Sequence, residues 1–293
     1  ILIDQVNPVK SIIATSETGT SDASVPISNN TIDIPVTIGE IVTFQLAVDI
    51  PEGTSDDVIM TDVLVPGIDF VSGSALVYTS SAAAMNFADF GAAPPNSAPG
   101  AAITEVAAPA TAGTIAYDGG TRTVTIHLGD ITNNDSDADA ETVIVTFQVL
   151  VLDGDDVTGA LGDLNGNGII DTGDIWTNEF AVSVAGNPPV TSNQVDVIIV
   201  EPELSLIKTR TDAGLVNAGG TVAFEITLRH TINSSSDAFN IVITDTLPLA
   251  DMSLVGVTGG TCAGVTPVDN GGSIDFTVPT LALADMNCTV QYT

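Results

Sequence analysis

GEIVTFQLAV, residues 39–48, puts Val42, Phe44, Leu46 and Val48 on one side of an extended chain and Thr43, Gln45 and Ala47 on the other. A period of two is the mark of a half-buried β-strand, because successive side chains of a strand point to opposite faces. The stretch returns at 219–228 as GGTVAFEITL, where Gly219, Val222, Phe224 and Ile226 stand for Gly39, Val42, Phe44 and Leu46. Downstream, MTDVL (60–64) returns as ITDTL (243–247), each soon followed by a proline, Pro66 and Pro248. Upstream, NPVKSIIAT (7–15) resembles EPELSLIKT (201–209), and aligning Pro8 with Pro202 sets Ala14 opposite Lys208. An ordered series of matches is an internal repeat, so two copies of one unit stand in tandem.

The remaining strong signals are also strands. RTVTIHLG (122–129) alternates through Val124, Ile126 and Leu128, while ETVIVTFQVLVL (141–152) and NQVDVIIV (193–200) are β-branched runs. No segment carries a sustained helical period with caps, and Gly, Pro, Asn and Asp clusters separate the runs. This is the pattern of an all-β protein built as two tandem β-sandwich domains. The expected domains are 1–200, enlarged by insertions, and 201–293, a smaller sandwich. They meet at VIIVEPELSL, a short linker whose proline makes it stiff. The insertions are 79–117, expected as a long surface excursion, the acidic loop 130–140, and 153–176.

The 293 residues carry 37 acids against 5 bases, a formal net charge of −32. The first 200 residues hold 27 of the acids and two of the bases. Such a chain repels nucleic acid and anionic membrane surfaces, which need Lys and Arg. It favours cations and solubility, and an acidic solvated skin is the plain alternative to specific cation binding. At 44% hydrophobic it has ample material for a core, which excludes wholesale disorder. No apolar run reaches the length of a membrane span. The chain opens on ILIDQVNPVK without an initiator Met, and a mature or excised piece is expected.

VNAGGTVAFEITLRHTINSSSDAFNIVITDTLP (216–248) resembles a prokaryotic cell-surface repeat family of unknown function. That family has a strand of the form G-D-T-V-T-Y-T-I-T-V followed by V-T-D-T-L-P. The likeness covers 202–293 well and 8–200 more loosely. It implies immunoglobulin-like sandwiches strung along large surface or secreted proteins, and no catalytic residues. The ending CTVQYT is shorter than the family's, so the second domain is expected to lack its last strand. ILID at the start resembles the close of such a strand. A fragment of a longer array and a subunit that exchanges strands with its neighbour both fit.

DLNGNGIIDTGD (163–174) has the ligand spacing of an EF-hand calcium loop and, ending in Asp, is similar to the dockerin variant. Asp163, Asn165 and Asn167 take positions 1, 3 and 5, the Ile169 carbonyl position 7, Asp171 position 9 and Asp174 position 12. Oxygen ligands without His or Cys select Ca²⁺ rather than a soft metal. An Asn/Gly/Asp turn cluster is the other reading. Asp135, Asp137 and Asp139 alternate and offer a second cation site or a solvated hairpin tip. Glu201 and Glu203 at the junction offer a bridging one.

Cys262 and Cys288 are expected to form a disulfide, with two buried thiols as the alternative, and an even pair in such a chain suggests an oxidising compartment. Lys208 raises the question of a Lys–Asn isopeptide cross-link, which needs a buried acid. The nearest acid in the facing-strand motif, Glu225, lies out of phase with Phe224 and Ile226. His127 and His230 sit in no Ser/His/Asp context and are expected at the surface. No Gly-rich phosphate loop follows a strand. The sequons NNT (29–31) and NSS (233–235) permit glycosylation.

The sequence therefore points to an extracellular structural protein and not an enzyme. It would be a calcium-stabilised building block of a cell-surface fibre, sheath or adhesin stalk, partnered by copies of itself or neighbouring repeat domains. The alternative is a carbohydrate- or ligand-binding adhesin module. That would use the 79–117 insertion and need exposed aromatic side chains grouped on one surface; Tyr78, Phe87 and Phe90 lie near the insertion, whereas Trp176 lies beside the 163–174 loop.

Overall fold

The structure is a computed structural model that describes residues 6–17, 34–80, 85–90, 94, 98–134, 141–152, 175–213, 216–247 and 252–293. The chain divides into two compact units, Ile1–Ile199 and Val200–Thr293. The strands of the first are β1 (Pro8–Thr15), β2 (Ile34–Val36), β3 (Ile41–Ile50), β4 (Gly53–Val63), β5 (Ile68–Phe70), β6 (Leu76–Thr79), β7 (Met85–Phe87) and β8 (Ala101–Ala102). They continue as β9 (Thr104–Val106), β10 (Thr114–Asp118), β11 (Thr123–Asn133), β12 (Glu141–Val151), β13 (Ile175–Asn178), β14 (Phe180–Ser183), β15 (Val190–Thr191) and β16 (Val195–Ile199). The second unit holds β17 (Leu204–Arg210), β18 (Phe224–His230), β19 (Ala238–Thr246), β20 (Val257–Gly260), β21 (Thr266–Asp269), β22 (Ser273–Leu281) and β23 (Asn287–Tyr292).

In the first unit one sheet runs β1-β3-β12-β6-β8 with β5 also on β12, and the other runs β15-β14-β4-β11-β10-β9 with β7 also on β11. The alternation of GEIVTFQLAV explains the core: Val42, Phe44, Leu46, Val48 and Ile50 all point inward. They meet Val143, Val145, Phe147 and Val149 of β12 and Val58, Met60, Val124 and Ile126 of the facing sheet in one apolar cluster. The Phe44 and Phe147 rings meet edge to face at 5.8 Å, a favoured aromatic geometry. A third, small sheet runs β13-β16-β2.

β13 and β14 are nearly continuous and belong to different sheets. Asn178 ends β13 opposite Val195 of β16, and Phe180 begins β14 opposite Asp62 of β4. The chain therefore changes sheets at Glu179, with Asn178 at the corner.

The 79–117 excursion is different from its expected form. β7, β8, β9 and β10 join the two large sheets, and Met85, Phe87, Ile103, Ile115 and Ala116 are buried. Strands of two and three residues are too short to show a period, and Ala-, Gly- and Pro-rich stretches between them read as loop.

The second unit is a smaller sandwich, β17-β18-β23-β20 against β19-β22-β21. Its core holds Ile226, Leu228, Ile243, Phe276, Val278 and Tyr292. By their partners the units correspond strand for strand, β17-β18-β23-β20 to β1-β3-β12-β6 and β19-β22-β21 to β4-β11-β10. In the first unit β14 lies on the outer edge of β4. In the second, no strand occupies the matching edge of β19 among the described residues.

All three tyrosines hold their hydroxyl protons more tightly than usual. Burial raises the Tyr78 hydroxyl; burial and then the Asp69 carboxylate push Tyr117 up to about 12; burial and then the Asp245 carboxylate raise Tyr292 further. A group whose pKa rises on folding adds stability that is complete below its unfolded value and fades as pH climbs toward the folded one. The fold should thus weaken above pH ~10. A spectrophotometric titration is expected to show little phenolate just above that pH, and a jump when the protein is unfolded there. Phenolate appearing at the ordinary tyrosine pKa in the folded protein would contradict this.

Candidate functional site

β1 alternates Pro8, Lys10 and Ile12 toward the core. A lysine at such a position must take its charge out of water, which costs several kcal/mol unless it is met by a partner or gives up its proton. Lys10 is 1% exposed, and its side chain and that of Asp62 are both 0% exposed. Its Nζ contacts Oδ2 of Asp62 and Oδ1 of Asn178 and lies 4.2 Å from the centre of the Phe44 ring. Burial pushes the Lys10 ammonium below its ordinary pKa; Asp62 and then Glu179 pull it back up. Oδ1 of Asp62 is buried with no hydrogen-bond partner among the described residues.

The other groups hold this arrangement in place. Asn178 Nδ2 donates to the Val63 carbonyl at 2.9 Å. The Lys10 main chain donates to Asn193 Oδ1 and accepts from Asn193 Nδ2, both at 2.9 Å. A two-sided amide clamp of this kind fixes β1 against the segment entering β16. Val42, Phe44, Val149, Trp176 and Val197 line an apolar cavity that also reaches Asn178.

The second unit repeats the first part of this design. Lys10 pairs with Leu46 and Lys208 with Ile226, and Leu46 and Ile226 are equivalent in the sequence repeat. Lys208 therefore matches Lys10, not Ala14, so the alignment through Pro8 and Pro202 is four residues off. Lys208 Nζ lies 2.5 and 2.7 Å from the Asp245 oxygens and 4.4 Å from the Phe224 ring centre. Asp245 of ITDTL is the equivalent of Asp62 of MTDVL. The acid beside Lys208 is thus Asp245, while Glu225 accepts from Gln291 Nε2 on the exposed side. The remaining donor to Asp245 is the Tyr292 hydroxyl, where the first unit has the Asn178 carboxamide near its lysine. The Lys208 side chain is 34% exposed, in contrast to that of Lys10.

Asp163, Asn165, Asn167, Ile169, Asp171 and Asp174 lie outside the described residues, as do Asp135, Asp137 and Asp139. Among the described residues no group of three or more His, Cys, Asp or Glu side chains is set to hold a metal ion. At the junction, the Thr231 hydroxyl donates to Glu203 at 2.7 Å and lowers its pKa. Cys262 and Cys288 form a disulfide with their Cα atoms 4.8 Å apart.

His127 Nε2 contacts Asp57 at 2.6 Å on a partly exposed strand. His230, expected at the surface, is 3% exposed and bridges Ser234 (2.6 Å) and the Leu281 carbonyl (3.0 Å), so it ties loops inside the core. Phe87 and Trp176 are buried and Phe90 packs edge-on against Phe87. Tyr78 donates to Gln45 at 3.2 Å. These four side chains do not form an exposed stacking surface.

No family model matches this chain, and no curated protein matches it. Among solved structures it is similar to the C-terminal domain of the Streptococcus pyogenes antigen I/II-family protein AspA, at 11% identity, over 98% of this chain and 91% of that one, with a TM-score of 0.39. The major pilin subunit of Bacillus cereus matches at 10% identity over 80% of this chain and 61% of that one, with a TM-score of 0.37. The pilus backbone of Streptococcus pneumoniae matches at 14% identity over 98% of this chain and 50% of that one, with a TM-score of 0.33. At TM-scores below 0.5 these likenesses bear on neither the chemistry nor the role of the site.

Proposed function

We propose that the chain is an extracellular structural protein, a calcium-stabilised building block of a cell-surface fibre, sheath or adhesin stalk. It assembles with copies of itself or with neighbouring repeat domains. The observation that carries this reading is the way Lys10 joins the first strand of its unit to the later ones, through Asn178, Asp62 and the Asn193 clamp. A tie between early and late strands resists their separation when the chain is pulled. The disulfide suits an oxidising exterior.

Strand exchange enters through the open edge of β19, where Val242 is 61% exposed. A strand donated there would take the place that β14 takes on β4, satisfying main-chain groups that an open edge leaves unpaired. Electron microscopy of the protein with calcium tests the assembly: filaments or end-to-end chains are expected, and dispersed monomers at every concentration would refute it.

Calcium enters through 163–174. With the affinity of extracellular modules, roughly 10⁻⁴ to 10⁻³ M, ~10 mM calcium should stabilise the folded protein by about 1.5–3 kcal/mol. For a unit of this size that is a rise in Tm of roughly 3–10 °C. A melting point unchanged between calcium and chelator would remove the metal from the proposal. The Asp163→Ala variant should lose the rise.

A further inference from the structure

The Lys10 cluster places an amine against a carboxamide beside a carboxylate, all of them out of water. We propose that Lys10 and Asn178 react to form a covalent amide between Nζ and Cγ, with Asp62 as the catalytic proton carrier. The inference rests on the geometry of the first unit alone and stands or falls independently of calcium and of assembly.

A lysine amine is a nucleophile only when neutral. Burial favours the neutral amine, lowering the Lys10 pKa against the opposing pull of Asp62 and Glu179. The amine lone pair attacks Asn178 Cγ, forming the new C–N bond. The Cγ–Nδ2 bond then breaks, and its electron pair leaves with the nitrogen. Asp62, which touches Nζ, takes a proton from the amine and returns it to the departing nitrogen. The products are a secondary amide and one molecule of ammonia. No oxidant, reductant or water is consumed. A small apolar cavity borders Asn178 on one side.

Orientation supplies what a weak electrophile needs. A carboxamide is unreactive in solution, and holding reactants in a fixed pose is worth on the order of 10⁵–10⁸ M in effective concentration. Here the pose is set by Val63, which accepts from Asn178 Nδ2, by the Asn193 clamp on the Lys10 main chain, and by the Phe44 ring under Nζ. The second unit acts as an internal control. It has the lysine, the aspartate and the phenylalanine, but Tyr292 offers a hydroxyl with no acyl carbon to attack. One bond is therefore expected in the chain, and it lies in the first unit.

The test is the denatured mass of the protein, followed by trypsin digestion. The mass should lie about 17 Da below the value its disulfide-bonded sequence requires, the weight of one ammonia displaced by the amine. Trypsin has only Lys10, Arg122, Lys208, Arg210 and Arg229 to cut after. In the linked protein Lys10 is not cleaved, and the peptide carrying it stays joined to the one that follows Arg122. The Lys10→Arg, Asp62→Ala and Asn178→Ala variants should each show the full mass. A wild-type mass equal to the sequence mass would overturn the proposal. So would the 17 Da loss with Lys10 still cleaved, since an asparagine closing on its own backbone loses the same ammonia. Both readouts come from the wild-type chain, so a variant that fails to fold does not weaken the test.

Discussion

Asp62→Ala is expected to destabilise the first unit by about 3–5 kcal/mol, because without its acid Lys10 stays unlinked, a basic group buried in an apolar core with no counter-charge. For a unit of this size that is a fall in Tm of roughly 10 °C or more. Loss of the covalent bond proposed above would add to it. The double variant Lys10→Met, Asp62→Leu removes both charges and fills the space with apolar atoms, so it should recover the share of the loss that comes from the unpaired charge, though not the share that comes from the missing bond. Such non-additivity is the signature of groups that touch. Thermal melts of the two variants decide the matter: equal destabilisation in both would show that the pair has no mutual dependence.

Reducing the Cys262–Cys288 disulfide is expected to cost the second unit about 3–4 kcal/mol, from the entropy that a closed loop withholds from the unfolded chain. The cysteines are 26 residues apart. In a unit of under 100 residues each kcal/mol moves Tm by roughly 4–8 °C, so a drop of some 15 °C or more should follow. The first unit contains no cysteine, and its transition should stay in place. Calorimetry with and without reductant should therefore separate one shifted transition from one unshifted. A shift of both, or of neither, would contradict a disulfide acting locally in the second unit.

Much of the architecture was legible in the sequence. The alternation at 41–48, its return at 221–228 and the MTDVL and ITDTL matches identify two sandwiches, since an inward period of two leaves few other ways to bury these side chains. The site was less legible. Lys208 points to a lysine beside a buried acid, yet aligning the prolines sets Ala14 opposite it instead of Lys10. Prolines mark where a strand begins, whereas equivalence between strands is set by the residues they face. The usable signal lay in parity: Lys10 shares the inward phase with Pro8 and Ile12, and Asp62 shares it with Val58 and Met60. A lysine and an aspartate on core-facing positions need each other. Asn178 carried no such signal, because its place at the sheet-changing corner follows from β13 and β14 pairing with different strands.

With the proposed Lys10–Asn178 bond in place, the first unit is locked between its first strand and a late one. Pulling the chain by its ends in a single-molecule force experiment tests it most directly. Lys10 and Asn178 are 168 residues apart. At the reach of an extended chain, about 3.3–3.6 Å per residue, the lock should withhold about 550–600 Å of length. The first unit should then lengthen only by its residues outside the bond, and regain the missing length in Lys10→Arg. Full extension of the wild-type first unit would contradict the claim.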